Sequence, residues 1–166
     1  MEEETITSVD EEKVSKKPFY KSVIFYICMI ILLCTFIFNC FYCISIVSGD
    51  SMVPNFHDGQ ILLVERHYDK IDRYDVVALD AGNKLLVKRV IGLPGETIDC
   101  RNDVIYVDNM KLADPYKNGE MIESFTITLK ENEYYCLGDN RRQSRDSRYY
   151  GAFTEKEIIG KIKGKD

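Results

Sequence analysis

Lys84-Leu85-Leu86-Val87-Lys88-Arg89-Val90-Ile91-Gly92-Leu93-Pro94-Gly95-Glu96 reads as a strand that runs straight into a turn. Apolar and β-branched residues recur as far as Gly92, and Leu93-Pro94-Gly95 then supplies the fixed φ of proline and the positive φ that glycine accepts. Period-2 alternation puts Lys84, Leu86, Lys88 and Val90 on one face and Leu85, Val87 and Arg89 on the other. Lys88 therefore shares a face with apolar neighbours. A strand lysine ordinarily snorkels or guards an edge. Buried without a carboxylate partner, however, it loses its preference for the ammonium form. A fall in pKa from ~10.4 to ~7 corresponds to roughly 4–5 kcal/mol between protonation states, and the neutral amine so produced can take a proton from a hydroxyl.

On either side of this segment the chain reads as further short strands: 60–65, 75–79, 96–100, 104–107, 124–129, 134–137 and 158–162. They are separated by Ala81-Gly82-Asn83, Arg101-Asn102-Asp103 and Gly138-Asp139-Asn140, residue types that accept turn geometry. No long 3.6-residue periodicity follows residue 47, so the fold class predicted is all-β. The segment Asp108 to Glu123 carries the weakest pattern.

Ahead of the strands, Val23 to Val47 contains no charged residue, and as a helix it would extend about 37 Å, enough to cross a bilayer core. Lys13, Lys16, Lys17 and Lys21 flank it on one side, whereas no Lys or Arg follows until Arg66. The positive-inside rule then places the N-terminus in the cytoplasm. The expected organisation is a cytoplasmic tail over 1–22, a transmembrane anchor over 23–47 and an extracytoplasmic domain over 48–166, in the cell membrane as a single-pass protein. A cleaved secretory signal is the competing reading, but its core is usually ~7–15 residues and ends in a small-residue pattern that Ile46-Val47-Ser48 fits poorly. Ser51 lies four residues beyond Val47, a reach of at most ~14 Å. A hydroxyl there is held near the membrane surface, with Met52 and Phe56 placed to dip toward lipid.

The net charge of −5 and pI near 5.2 give no support to nucleic-acid binding. Four of the six cysteines, Cys28, Cys34, Cys40 and Cys43, fall within the apolar span. Cys100 and Cys136 lie in strand-like alternations, as buried thiols or, in an oxidising exterior, as a bridge. His57 and His67 stand alone, no Cys/His spacing suggests a metal, and no cofactor is expected.

Ser51 followed by Met52 and Pro54, then Lys88-Arg89-Val90-Ile91-Gly92-Leu93-Pro94-Gly95-Glu96, then Gly138-Asp139-Asn140-Arg141 and Ser144-Arg145-Asp146-Ser147-Arg148, resemble the ordered boxes of the type I signal peptidases, in the short bacterial form with one anchor. The resemblance implies a small catalytic β-domain of coiled antiparallel sheets and a serine endopeptidase that removes signal peptides from exported preproteins. It implies Ser51 as nucleophile and Lys88 as general base and later general acid. It further implies that Ser144 orients the Lys88 amine, that Asp146 and Arg148 form a bracing ion pair with Arg89 nearby, and that Met52 and Val87 shape shallow substrate pockets. Partners so implied are the signal peptides, docked as an added β-strand, the membrane lipid and the secretion machinery. Some members of the family place a serine two residues before the nucleophile; here Gly49 stands there, so the oxyanion hole rests on main-chain donors, chiefly the Ser51 amide. Arg73-Tyr74-Asp75 departs from the family in carrying tyrosine where glycine is more usual. Taken alone, Arg141, Arg142, Arg145 and Arg148 read as a solvated or headgroup-facing patch. Two other classes share features with this chain. Self-cleaving repressors use the same pair of groups but carry a DNA-binding domain and no anchor. A catalytically inactive, membrane-tethered β module would keep the fold without the activity.

Overall fold

Apolar alternation organises the chain after its first helix into two antiparallel sheets. The computed structural model describes residues 19–82, 84–121 and 123–163; the tail expected over 1–22 falls mostly outside them. Helix α1, Phe19–Phe41, carries no charged residue after Lys21 and is long and apolar enough to cross a membrane. It ends earlier than the apolar run does. Tyr42–Ile46 form strand β1, paired antiparallel with β2, Ile61–Glu65, in the register Tyr42↔Glu65 to Ile46↔Ile61. The expectation of helix to Val47 is thus corrected: alternation in Tyr42-Cys43-Ile44-Ser45-Ile46 buries Ser45 and, one step on, Val47, and exposes Ile44 and Ile46. A run that is apolar on both faces hides this period. Ser51 consequently follows the helix by ten residues rather than four.

The remaining strands are β3 (Val76–Asp80), β4 (Leu85–Gly92), β5 (Thr97–Arg101), β6 (Val104–Val107), β7 (Met110–Lys111), β8 (Phe125–Thr128), β9 (Glu133–Leu137), β10 (Phe153–Thr154) and β11 (Ile158–Ile162), with a short helix α2 (Ser147–Tyr150) before β10. All eight strands expected from the sequence form, within one residue at each end; β1, β7 and β10 are additional. The larger sheet has the order β1-β2-β11-β3-β4-β9-β10, the smaller β7-β6-β5-β8. Positive φ at Asn102 and Asp103, and again at Asp108 and Asn109, closes the β5–β6 and β6–β7 hairpins as two-residue primed turns.

One face of the larger sheet buries Leu62, Val64, Val76, Ala78, Val87 and Ile162, covered by Met52 and Phe56. Its other face buries Val77, Leu79, Val90, Cys136 and Ile158. Ile91 and Leu137 continue into the core of the smaller sheet with Ile98, Cys100 and Ile105. The sheet curls, so that Ser45 to Met52 and Lys84 to Lys88 line one cleft although three strands separate β1 from β4. β9 pairs with β4 only from Arg89 onward. Leu85 to Lys88 therefore keep, among the described residues, one edge without a strand partner.

Candidate active site

Burial of β4 carries a lysine amine into the protein. Lys88 is 3% exposed, lies across the strand pair from Val77, and shares its face with Leu86 and Val90 as alternation requires. Its Nζ stands 2.8 Å from Ser51 Oγ and donates to Val87 O, also at 2.8 Å. Desolvation lowers its pKa from 10.5 to about 8, against the opposing pull of Asp146 and the weaker ones of Cys136 and Asp139. An amine at that value is neutral in an appreciable fraction of molecules near pH 7, the state a general base requires.

The turn that carries Ser51 is built for backbone presentation. Gly49 has φ +82, a conformation that L side chains rarely adopt, and its N–H donates to Asp58 Oδ1 at 2.7 Å. Val53 N–H donates to Asp50 O at 3.2 Å and Phe56 N–H to Met52 O at 2.9 Å. The Ser51 N–H makes no hydrogen bond among the described residues, so a donor is free beside the hydroxyl. Met52 and Phe56 are 0% and 1% exposed, which corrects the expectation that they dip toward lipid. Exposed large apolar side chains of the larger sheet are instead Ile44, Ile46, Ile61 and Leu85. Met52 and Val87 both pack in the core and line the cleft.

Two buried ion pairs flank the amine. Asp146 is fully buried, accepts from Arg148 Nε at 2.9 Å and Nη2 at 2.8 Å, receives Gly138 N–H at 3.0 Å and caps α2 through Arg148 N–H. Burial raises its carboxyl pKa, but the Arg148 hydrogen bonds and charge outweigh that, and the net shift is downward. Asp139, also fully buried, is held bidentately by Arg89 at 2.8 Å on both oxygens, and Asn55 Nδ2 donates to it at 2.9 Å. The Arg89 guanidinium lies 3.7 Å from the Tyr116 ring centroid and donates to Tyr74 O. Tyr74 keeps φ +74; the turn persists with tyrosine in it, and its backbone carbonyl is what meets Arg89.

The structure brings together Ser51, Lys88, Asp146, Arg148 and Arg89, with Gly49 two residues before Ser51 in the same turn. Ser144 differs from expectation. Its Oγ is buried without a hydrogen-bond partner among the described residues, although its proximity helps hold the Asp146 carboxyl down. The Lys88 amine is oriented instead by Val87 O. Ser144 packs against Gly138, where an added Cβ would lie 2.2 Å from Ser144 Oγ and 2.6 Å from Ser51 O. Arg141 and Arg148 do not belong to a solvated patch. Arg141 is 1% exposed, donates to Gly138 O and pairs with Asp114. Cys100 and Cys136 are buried free thiols in different sheets. The reading of Gly138-Asp139-Asn140 as a turn missed Asp139 as the partner of Arg89; a strand arginine among apolar neighbours, in need of a carboxylate, was the available signal. No group of His, Cys, Asp and Glu suited to a metal occurs among the described residues.

A hydroxyl, a desolvated amine and a free backbone N–H stand at the head of a cleft with an unpaired strand edge, on curled antiparallel sheets, and these are the groups that peptide hydrolysis by a serine peptidase requires. Residues 17–165 match the family described as signal peptidase, peptidase S26, and the chain belongs to that family. It is 33% identical to a signal peptidase I of Bacillus amyloliquefaciens over 93% of this chain and 91% of that protein. It is 34% identical to signal peptidase I S of Bacillus subtilis (strain 168), over 92% and 91%. A crystal structure of a signal peptidase I from Enterococcus faecalis V583 superposes with a TM-score of 0.52 at 32% identity, covering 57% of this chain and 98% of that one.

Proposed function

We propose that this chain is a serine endopeptidase that removes signal peptides from exported preproteins, with Ser51 as nucleophile and Lys88 as general base. The 2.8 Å separation of Lys88 Nζ and Ser51 Oγ carries this reading. It also favours an enzyme over an inactive module of the same fold. An extended substrate would add as a strand along Leu85 to Lys88, its small side chains toward Met52 and Val87. The neutral amine takes the Ser51 proton as Oγ attacks the scissile carbonyl, and the Ser51 N–H receives the developing oxyanion. The ammonium then returns that proton to the departing amine, which leaves as the N-terminus of the mature protein. Water, deprotonated by the same amine, attacks the acyl ester and releases the signal peptide as a carboxylate. Asp146 with Arg148, and Arg89 with Asp139, hold the surrounding loops. α1 supplies the membrane anchor, and the lysines that precede it set the N-terminus in the cytoplasm with the catalytic domain outside. Purified chain in detergent, incubated with a preprotein bearing small residues at −3 and −1, tests the reading. Ser51→Ala and Lys88→Ala each abolish processing, and retention of parental activity in both would remove it.

A further inference from the structure

The two peptide groups that flank Ser51 are both held by one residue. Asn140 Nδ2 donates to Asp50 O at 3.1 Å, and Asn140 N–H donates to Ser51 O at 3.0 Å. Asp50 C=O and Ser51 N–H belong to the same planar trans peptide, so a bond that fixes the oxygen end also fixes the direction of the N–H on its opposite side. The same bond withdraws electron density through the amide and strengthens that N–H as a donor. Asn140 is itself held in place: Asn118 N–H donates to Asp139 O, Arg141 N–H donates to Asn118 O, both at 2.8 Å, and Asn118 Nδ2 donates to Val53 O in the nucleophile turn. Asp50 O also accepts the Val53 N–H at 3.2 Å from within the turn, so the Asn140 carboxamide is the donor that ties it to the rest of the domain, and Gly49, two residues before Ser51, contributes no hydroxyl.

We propose that Asn140 is a positioning residue for the oxyanion donor: its carboxamide, together with the Val53 N–H, sets the plane of the Asp50–Ser51 peptide and so aims the Ser51 N–H at the tetrahedral oxygen. The inference rests on the reading of Ser51 and Lys88 given above. It assigns Asn140 no contact with substrate and no effect on the ionisation of Lys88.

The test compares parent, Asn140→Ala and Asn140→Asp, each full length in detergent, beside Ser51→Ala and Lys88→Ala. Removing a whole oxyanion donor costs 10²–10³ in kcat; misaiming one lowers kcat by roughly tenfold in Asn140→Ala, with KM within about twofold and the acid limb of the pH profile unmoved. Asn140→Asp turns an acceptor toward Asp50 O and loses more. A peptide boronate with an alanine-like side chain separates aiming from general damage. Its boron bonds to Ser51 Oγ, the displaced proton passes to Lys88, and one boron-bound oxygen takes the oxyanion position. Its affinity falls by the same factor as kcat, whereas that of an uncleaved peptide of equal length holds. If both Asn140 variants keep parental kcat and boronate affinity while Ser51→Ala and Lys88→Ala are dead, this inference fails and the dyad stands. Equal losses in boronate affinity, peptide affinity and thermal midpoint would mean a structural role and overturn it too. Activity surviving in Ser51→Ala and Lys88→Ala would instead sink the reading beneath it.

Discussion

Replacing Lys88 by methionine should stabilise the protein at pH 7 while destroying its activity. The parent pays for a buried amine whose pKa falls from 10.5 to about 8, and 2.5 units at 1.36 kcal/mol each amount to about 3 kcal/mol. Because the folded pKa lies below the unfolded one, the unfolded chain binds more protons between pH 8 and 10.5. Parental stability therefore rises with pH across that window, and the deficit is fully present below it. Methionine fills most of the volume but forfeits the bonds to Ser51 Oγ and Val87 O, about 1–2 kcal/mol together. The variant is then more stable than the parent by about 1–2 kcal/mol at pH 7, and equal or slightly less stable at pH 10. The assay is denaturant or thermal unfolding of the two proteins in matched detergent at both pH values. Every other titrating group is common to them and cancels from the difference, leaving a swing of about 2–3 kcal/mol, roughly 10 °C in relative midpoint for a domain of this size. A difference that stays constant from pH 7 to 10 would refute a desolvated Lys88. The same titration governs rate: the neutral fraction rises from ~1/11 at pH 7 to ~1/2 at pH 8, so kcat/KM increases about fivefold between them.

Gly138→Ala places a methyl 2.2 Å from Ser144 Oγ and 2.6 Å from Ser51 O, and the backbone oxygen cannot give way without displacing Ser51, the proposed nucleophile. Activity drops about a hundredfold or more in single-turnover assays, a loss of the kind that ~1 Å misplacement produces. Asp146→Asn leaves the Arg148 charge partly buried without its partner and lowers stability by about 3 kcal/mol, read as a shifted denaturation midpoint at pH 7. Parent and variant converge as pH falls below ~4, since the Asp146 contribution is present above the unfolded carboxyl pKa and lost as pH falls through the lowered folded one. A chain that begins at Phe38 keeps β1 and melts cooperatively, whereas one that begins at Ser48 lacks the strand that covers β2 and melts several degrees lower or precipitates.

The strand-forming stretches were legible because their period-2 alternation and Gly, Pro and Asn punctuation are local properties of the chain. Ser51, Lys88, Asp146 and Arg148 were legible through the order of boxes that carry them. The strand Tyr42–Ile46 was not. An apolar run satisfies helix and strand alike, and only pairing with Ile61–Glu65 favours the strand. Arg141 was misread for a related reason: a guanidinium in a loop is solvated by default, and its burial depends on Asp114 and Gly138 O, partners distant in sequence or invisible until the loop closes.

By itself the sequence determined an apolar helix ahead of a β domain, the period-2 alternation that puts Lys88 on an apolar face, and the identity of the groups able to do chemistry. Tertiary structure alone decided that the amine would meet the hydroxyl, because 37 residues separate them and only the curl of the larger sheet closes that distance. It also decided the protonation balance of Lys88, since a pKa depends on how much water surrounds the nitrogen and which carboxylates face it, quantities that no local pattern encodes.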